Sequence, residues 1–255
     1  MKSIAALFLS LLMISAPLYP ISSERESPLS SNEMLLDHFY ETQNRLSGLC
    51  DGDPDVLKRN KVFLVELQRA YVAGTGMIDK DIHRILDAII FAATKHQKQK
   101  RKDYKGTPYI IHPIGVAHHL LLIGKVRDPD ILIAALLHDT VEDTNTSFDE
   151  IRTSFGERVE SFVREVTDDK SLPKEERKRL QIVHAKEKSA GAAQIKLGDK
   201  LYNLTDLSIS PPPDWTKERV DAYFDWAALV VGNLPWVNAP LKQAVDDIIN
   251  SHIVD

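Results

Sequence analysis

The stretch Leu136-Leu137-His138-Asp139-Thr140-Val141-Glu142-Asp143 ends an otherwise apolar segment with one imidazole and three carboxylates. On a helix, His138 and Glu142 share a face, and Asp139 and Asp143 share the adjacent one. Carboxylates this close repel one another and shift their pKa values unless a cation sits among them. Imidazole mixed with carboxylate suits Mn, Fe, Zn or Ni. A bare His-Asp pair is more often a solvated acidic helix end, so the pair gains weight only from partners elsewhere in the chain.

Two candidate partners exist. Asp199 and Asn203 lie one turn apart in a segment made apolar by Ile195, Leu197, Leu201 and Leu204, a small polar inset. Taken alone, Asp199 is equally a surface residue paired with Lys200. His112 stands where the loop Gly106-Thr107-Pro108-Tyr109 turns into a helix, its ring positioned by Pro113; taken alone it is equally a capping histidine. A third feature is the run Lys95 to Lys105, with six Lys or Arg in eleven residues. A basic loop of that kind is a solvated surface unless an anion lies beside it.

The elements that position these residues are helical throughout. The spacing of apolar residues predicts helices from Met34 to Leu46 and from Asp53-Pro54 to Gly74, then from Asp79 or Asp81 to His96. A helix begins at His112-Pro113. Asp128-Pro129, an N-cap followed by proline, starts another that runs through to Glu142. Further helices fall at 147–155, 159–166, 174–185, 190–207, 217–231 and 241–249. No alternating strand pattern and no internal repeat is present, so the expected class is all-α.

The 255 residues carry 43% hydrophobic side chains and a net charge of −5. That balance argues against a general nucleic-acid binder, which needs a basic surplus. Cys50 is the single cysteine, so no intramolecular disulfide supports the fold. Lys2, the apolar run Ile4–Ile14 and Ser15-Ala16 read as a secretory signal peptide, although Ile14 fits the small-x-small cleavage preference poorly. An uncleaved anchor or a buried segment are the alternatives. The expected division is a signal peptide over 1–20, a Ser-rich linker and helical extension over 21–77, and a main domain over 78–255. No second apolar run reaches spanning length, so the processed protein is expected to hold no stable membrane span.

Taken together, the motifs resemble the HD phosphohydrolase superfamily, in which a first His, a His-Asp pair and a distant Asp bind one metal. More closely, they resemble the hydrolase domain of the RelA/SpoT alarmone enzymes, and within it the small stand-alone metazoan SpoT homologues. The resemblance rests on 106–117, 135–144, 165–170, 176–181, 199–204 and 223–227, and it covers about 78–255. Gly198 stands where alanine is expected, a loss of some helix propensity that touches no ligand.

The resemblance implies an HD-domain helical bundle with an added N-terminal helical hairpin. It implies His112, His138, Asp139 and Asp199 as ligands of one Mn²⁺, other divalent metals being compatible. Glu142 and Asp143 would orient and activate the attacking water. Arg101 would stack on guanine, Lys102 would neighbour the phosphates, and Asn203 would bond ribose or phosphate. Tyr223 would line the far end of the pocket, with core packing an equal alternative. His96, His118 and His119 read as structural, and Asp168-Asp169-Lys170 as bordering the site.

The implied activity is removal of the 3′-pyrophosphate from guanosine 3′,5′-bis(diphosphate) or its pentaphosphate analogue, giving GDP or GTP and pyrophosphate. Only a short helix follows the matching region, so degradation without synthesis is expected. The alternatives are a phosphatase acting on another nucleotide, such as the 2′-phosphate of NADPH, and a nucleotide sensor without turnover. The signal segment suggests export to the periplasm or medium, whereas the resemblance suggests the cytoplasm. Oligomeric state is not legible.

Overall fold

The computed structural model describes residues 31–254. The signal segment expected over 1–20, and the linker up to residue 30, lie outside the described residues. The N-terminal hairpin consists of α1 (Ser31–Leu49) and α2 (Pro54–Val72). Asp53 accepts hydrogen bonds from the backbone of Asp55 and Val56, and Pro54 fills the first helical position, so α2 starts where the sequence says it must. The side-chain amide of Asn60 donates to Gln43 Oε1 at 2.6 Å and ties the two helices together.

The remaining helices are α3 (Asp79–Lys95), α4 (Ile111–Leu122), α5 (Pro129–Leu137), α6 (Thr140–Asp143), α7 (Phe148–Phe155) and α8 (Glu157–Val166). They are followed by α9 (Lys174–Val183), α10 (Ala190–Ile209), α11 (Lys217–Gly232) and α12 (Ala239–Val254), with one 3₁₀ turn at Ala185–Glu187. Among the described residues there is no strand, only an isolated bridge between Lys100 and Pro108. The all-α expectation holds.

Helix α5 is the axis of the bundle. Every residue from Ile131 to Leu137 is buried, as expected of a helix apolar on all sides. It packs against α3, α4 and α8, while α4 lies between α2 and α10 and α1 lies on α3. Leu35, Phe39, Leu46, Phe63, Leu64 and Leu67 of the hairpin belong to the same continuous apolar cluster as Ile85, Leu120 and Leu132. No described helix is long and apolar enough to cross a membrane.

One expectation needs correction. The helix that begins at Pro129 does not run on to Glu142; it ends at Leu137, and α6 is a separate single turn. Side chains cause the break by taking the last carbonyls of α5. His138 Nδ1 bonds Ala135 O at 2.8 Å, and Thr140 Oγ1 donates to Leu137 O at 2.7 Å. Helix-end carbonyls left without amide partners are thereby satisfied locally. The consequence is that His138 and Asp139 sit at a corner between two helical segments, free of the constraint of one helix face.

Close approach of α10 to α4 depends on Gly115. A Cβ built there would stand 2.0 Å from a ring carbon of Tyr202, which is 3% exposed. The ring cannot move far because it is wedged edge-on against His112, centroid to centroid 4.9 Å. Gly115→Ala is therefore expected to destabilise the protein by about 2–3 kcal/mol, the upper part of the overpacking range. Urea unfolding of the two proteins measures this, and a variant within experimental error of wild type would contradict the packing described.

Candidate active site

Three central elements each bring one donor to the same point. His112 lies in the first turn of α4, His138 at the corner after α5, and Asp199 in the middle of α10. His112 Nε2 is 3.2 Å from His138 Nε2 and 3.3 Å from Asp199 Oδ1, while His138 Nε2 is 3.8 Å from that oxygen. All three side chains are buried, and their donor atoms lie within 4.8 Å of one another. Asp139 stands beside them, with Oδ2 3.1 Å from His138 Nε2 and 3.5 Å from His112 Nε2. The same oxygen accepts the Tyr109 hydroxyl at 2.5 Å.

The donor set fits a divalent transition metal. Ligand atoms held about 2.0–2.2 Å from one ion lie roughly 3–4 Å from each other, which is the spacing found here. The bond from His138 Nδ1 to the Ala135 carbonyl fixes the tautomer and turns an Nε2 lone pair toward the cluster. The electrostatics call for a cation in the same place. Burial opposes charge on His138, but the carboxylates of Asp139 and Asp199 outweigh it and hold the imidazole at about 9. Burial likewise opposes charge on Asp139 and Asp199. The imidazoles, and for Asp199 above all the Lys200 ammonium, keep both carboxyls well below the usual range. A proton held among four such groups is the one that metal binding displaces.

Lys200 is not a surface partner. It is 3% exposed, donates to Asp199 Oδ2 at 2.9 Å, and lies over the ring of Trp226 at 4.4 Å. Asn203, one turn on, donates to Asp199 Oδ1 at 2.7 Å. The polar inset expected on α10 therefore exists, with Asp199 buried and Asn203 half-buried.

Glu142 and Asp143 of α6 face the loop that follows α8. Glu142 Oε2 accepts the Asp168 backbone amide at 3.1 Å, and Oε1 lies 3.5 Å from both Arg177 and Lys170. Asp143 accepts from Lys170 at 2.6 Å and from Gln99 at 3.1 Å. Burial, with Asp168 and Asp139 nearby, pushes the Glu142 carboxyl up despite the Asp168 amide and Lys170. Such a carboxylate is poised to take a proton.

Arg101 turns inward, donating to Asp206 at 2.6 Å and to Asn203 Oδ1 at 3.3 Å, with its guanidinium over the rings of Tyr109 and Tyr202. Lys102 does not join it: the side chain is exposed and pairs with no described residue. Tyr223 is half-buried between Trp215 and Trp226, at centroid distances of 5.9 and 5.2 Å. Burial raises its hydroxyl against the pull of Lys200 and Arg101, and it shares the Trp226 ring with Lys200.

The family pattern described as an HD domain matches residues 88–223, which contain all of these groups except Trp226. The chain belongs to the HD-domain family. Among its HD-domain relatives is the human guanosine-3′,5′-bis(diphosphate) 3′-pyrophosphohydrolase MESH1. The two are 54% identical over 162 residues, covering 64% of this chain and 90% of the relative. The Drosophila melanogaster protein of the same name is 50% identical over 165 residues, covering 65% of this chain and 92% of its own. A solved structure, described as a metazoan ortholog of SpoT that hydrolyzes ppGpp and plays a role in starvation responses, superposes with a TM-score of 0.65. It is 49% identical and covers 66% of this chain and 94% of its own.

Sequence reasoning missed Tyr109, Arg177 and Asp206, and it placed Lys170 at the border of the site without foreseeing its contacts. Tyr109 and Arg177 lie inside motifs that carried the resemblance but had no role assigned. Asp206 and the bridging position of Lys170 had no local signal, because their partners lie 105 and 27 residues away. His96, read as structural, is buried, bonds Gln99 at 2.7 Å and packs on the Tyr109 ring at 4.9 Å. His118 is buried with neither ring nitrogen bonded to a described residue.

Proposed function

We propose that this chain hydrolyses the 3′-pyrophosphate ester of guanosine 3′,5′-bis(diphosphate) and of its pentaphosphate analogue, giving GDP or GTP and pyrophosphate. The observation that carries this reading is the convergence of His112, His138 and Asp199 beside the Glu142–Asp143 turn. The identity to relatives named for that activity supports it. We assign His112, His138, Asp139 and Asp199 as the ligands of one metal, Mn²⁺ being the ion tested first. When bound, such a cation supplies Lewis-acid stabilisation of the phosphate and acidifies the attacking water.

The chain's own residues do the rest. Glu142 takes the proton as the water oxygen bonds to the phosphorus nearest the ribose. The bond from that phosphorus to O3′ breaks, and O3′ takes a proton from solvent, to which Glu142 afterwards releases its own, as pyrophosphate departs. Asp143, fixed by Lys170 and Gln99, orients the water. Arg177 and Lys170 keep the two carboxylates from repelling the anionic substrate. On the other side, Arg101 presents a planar guanidinium suited to stacking on a purine, and Asn203 offers its amide to ribose or phosphate. Lys102, free at the surface, is assigned to the phosphates as they enter, and Tyr223 to the far wall.

The test is a product assay with Mn²⁺ on the full chain. Pyrophosphate and GDP are expected in equal amounts from the bis(diphosphate), with little phosphate from NADPH or simple nucleotides. Orthophosphate from NADPH at a higher kcat/KM would replace this reading with the nucleotide phosphatase, and tight binding without release from any substrate would replace it with a sensor.

A further inference from the structure

The N-terminal hairpin does more than cover the bundle. It walls a cavity of about 640 Å³ that shares Arg101 with the cluster around Asp199, a volume in the range of small-molecule sites. Asp55, Lys58, Arg59 and Val62 of α2 form one wall, and the loop bearing Arg101, Asp103 and Lys105 forms the other. Tyr202 and Asp206 of α10 lie between them. The two walls are joined by an ion pair between Lys105 and Asp55 at 2.6 Å. Arg101 connects this space to the centre through Asn203 and thence Asp199. The matched family region begins only at residue 88, so α2 lies outside it.

The charges on these walls do not cancel. Arg101 is neutralised by Asp206 at 2.6 Å and Lys105 by Asp55 at 2.6 Å. Asp103 is taken up by the Thr107 backbone amide at 3.0 Å. That leaves Lys58 and Arg59, neither of which has a carboxylate within ion-pair distance among the described residues. Arg59 is half-buried, with its guanidinium 5.7 Å from the centroid of the Tyr202 ring, while Arg101 lies 5.6 Å from the same centroid. The nearby imidazoles, neutral in one protonation state and cationic in the other, cannot neutralise Arg59. His118 and His119 are both pushed down by burial, with Arg59 contributing, His119 to about 4. A half-buried cation without a partner, at the edge of a ligand-sized cavity, is a site for an anion.

We propose that Arg59, supported by Lys58, binds the 5′-phosphates of the nucleotide whose 3′ end lies at the metal centre. The hairpin thus contributes a specificity-determining residue from outside the matched family region. The inference rests on the reading of the substrate as a nucleotide phosphorylated at both ends.

Equilibrium binding tests it without turnover. GDP carries the 5′-diphosphate and guanosine does not, and neither carries a scissile 3′ group. Titration of the full-length protein with each, by calorimetry, is expected to show GDP bound at least tenfold more tightly than guanosine. Arg59→Gln should weaken GDP about tenfold and leave guanosine unchanged, while Arg59→Lys, which keeps the charge, should retain most of the affinity. Equal loss for both ligands, no loss for either, or no preference for GDP in the wild-type protein would each overturn the proposal. Failure of the hydrolase reading is seen separately, as the absence of pyrophosphate release by the wild-type protein.

Discussion

Replacing Glu142 with glutamine is expected to lower kcat by about 10²–10⁴, the range for removal of a positioned general base, and to change nucleotide affinity by no more than a few-fold. The substitution keeps the side-chain shape, so the Asp168 amide at 3.1 Å retains an acceptor when the new amide group turns its oxygen toward it. What disappears is the capacity to take a proton. The group's environment adds a second signature. Burial raises the Glu142 carboxyl above the ordinary glutamate range, against the pull of the Asp168 amide and Lys170. The base works only when ionised, so kcat/KM should rise with pH through a limb lying above that range, and Glu142→Gln should abolish the limb. A folded-state pKa raised above the unfolded value means that this group's stabilising contribution is present at low pH and is lost as pH rises through the folded pKa. Ionised Glu142 is thus a cost to the fold at neutral pH, and the glutamine variant should unfold at the same temperature as wild type or higher. A variant that keeps a third of wild-type kcat, or loses turnover only because it unfolds, would remove Glu142 from the role of base.

The second large effect is expected at Asp199. Asp199→Ala removes a proposed metal ligand and strands Lys200, 3% exposed, whose ion pair among the described residues is with Asp199 at 2.9 Å. Burial opposes the charge on Lys200, and Asp199 with Tyr223 holds it. Breaking one partner of a buried pair costs about 3–5 kcal/mol, because the remaining charge is left desolvated and uncompensated. Asp199→Asn retains an acceptor for Lys200 and should cost less, while losing activity as completely. Denaturant unfolding with and without Mn²⁺ separates the two consequences. The wild-type midpoint should rise with metal and fall back with chelator, whereas neither variant should respond. An alanine variant within about 1 kcal/mol of wild type, still stabilised by Mn²⁺, would refute both the ion pair and the ligand assignment. In metal-free protein the sign of the pH dependence is fixed. Asp139 and Asp199 titrate well below the usual range, so their contribution is complete above about pH 4–5 and is lost as pH falls toward the folded values.

How much of this was legible beforehand depended on whether the signal was local. The helices were readable because their apolar spacing is periodic, and Asp128-Pro129 and Asp53-Pro54 announced two starts by cap chemistry. His112, His138 and Asp199 come together as the motifs implied, since each sits in a segment whose buried faces leave one inward direction for it. The end of α5 was not readable. Hydropathy continues past Leu137, and only the bonds from His138 to Ala135 O and from Thr140 to Leu137 O stop the helix. Lys200 illustrates the opposite failure. The sequence offers the Asp199–Lys200 pair, but nothing in it distinguishes a solvent-facing pair from one under Trp226. Lys102 was grouped with Arg101 by adjacency, and adjacent residues on a loop point apart. The contacts of Arg101 with Asp206 and of Lys170 with Asp143 join distant segments, and a single sequence holds no record of such pairings.

The apolar cluster shared by the hairpin and the bundle has a consequence for how the chain can be shortened or varied. Leu64 and Leu67 are as deeply buried as Ile85 and Leu132, so the first helices are not a detachable ornament whose loss would leave the rest intact. Removal of α1 and α2 alone would leave a wetted apolar flank on α3 and α4, prone to association. The hairpin and the apolar faces of α3 and α4 beneath it therefore depend on one another. A change of side-chain volume on one side of the α2–α4 seam should thus be rescued by the opposite change across it, with the corner at His138–Asp139 left untouched.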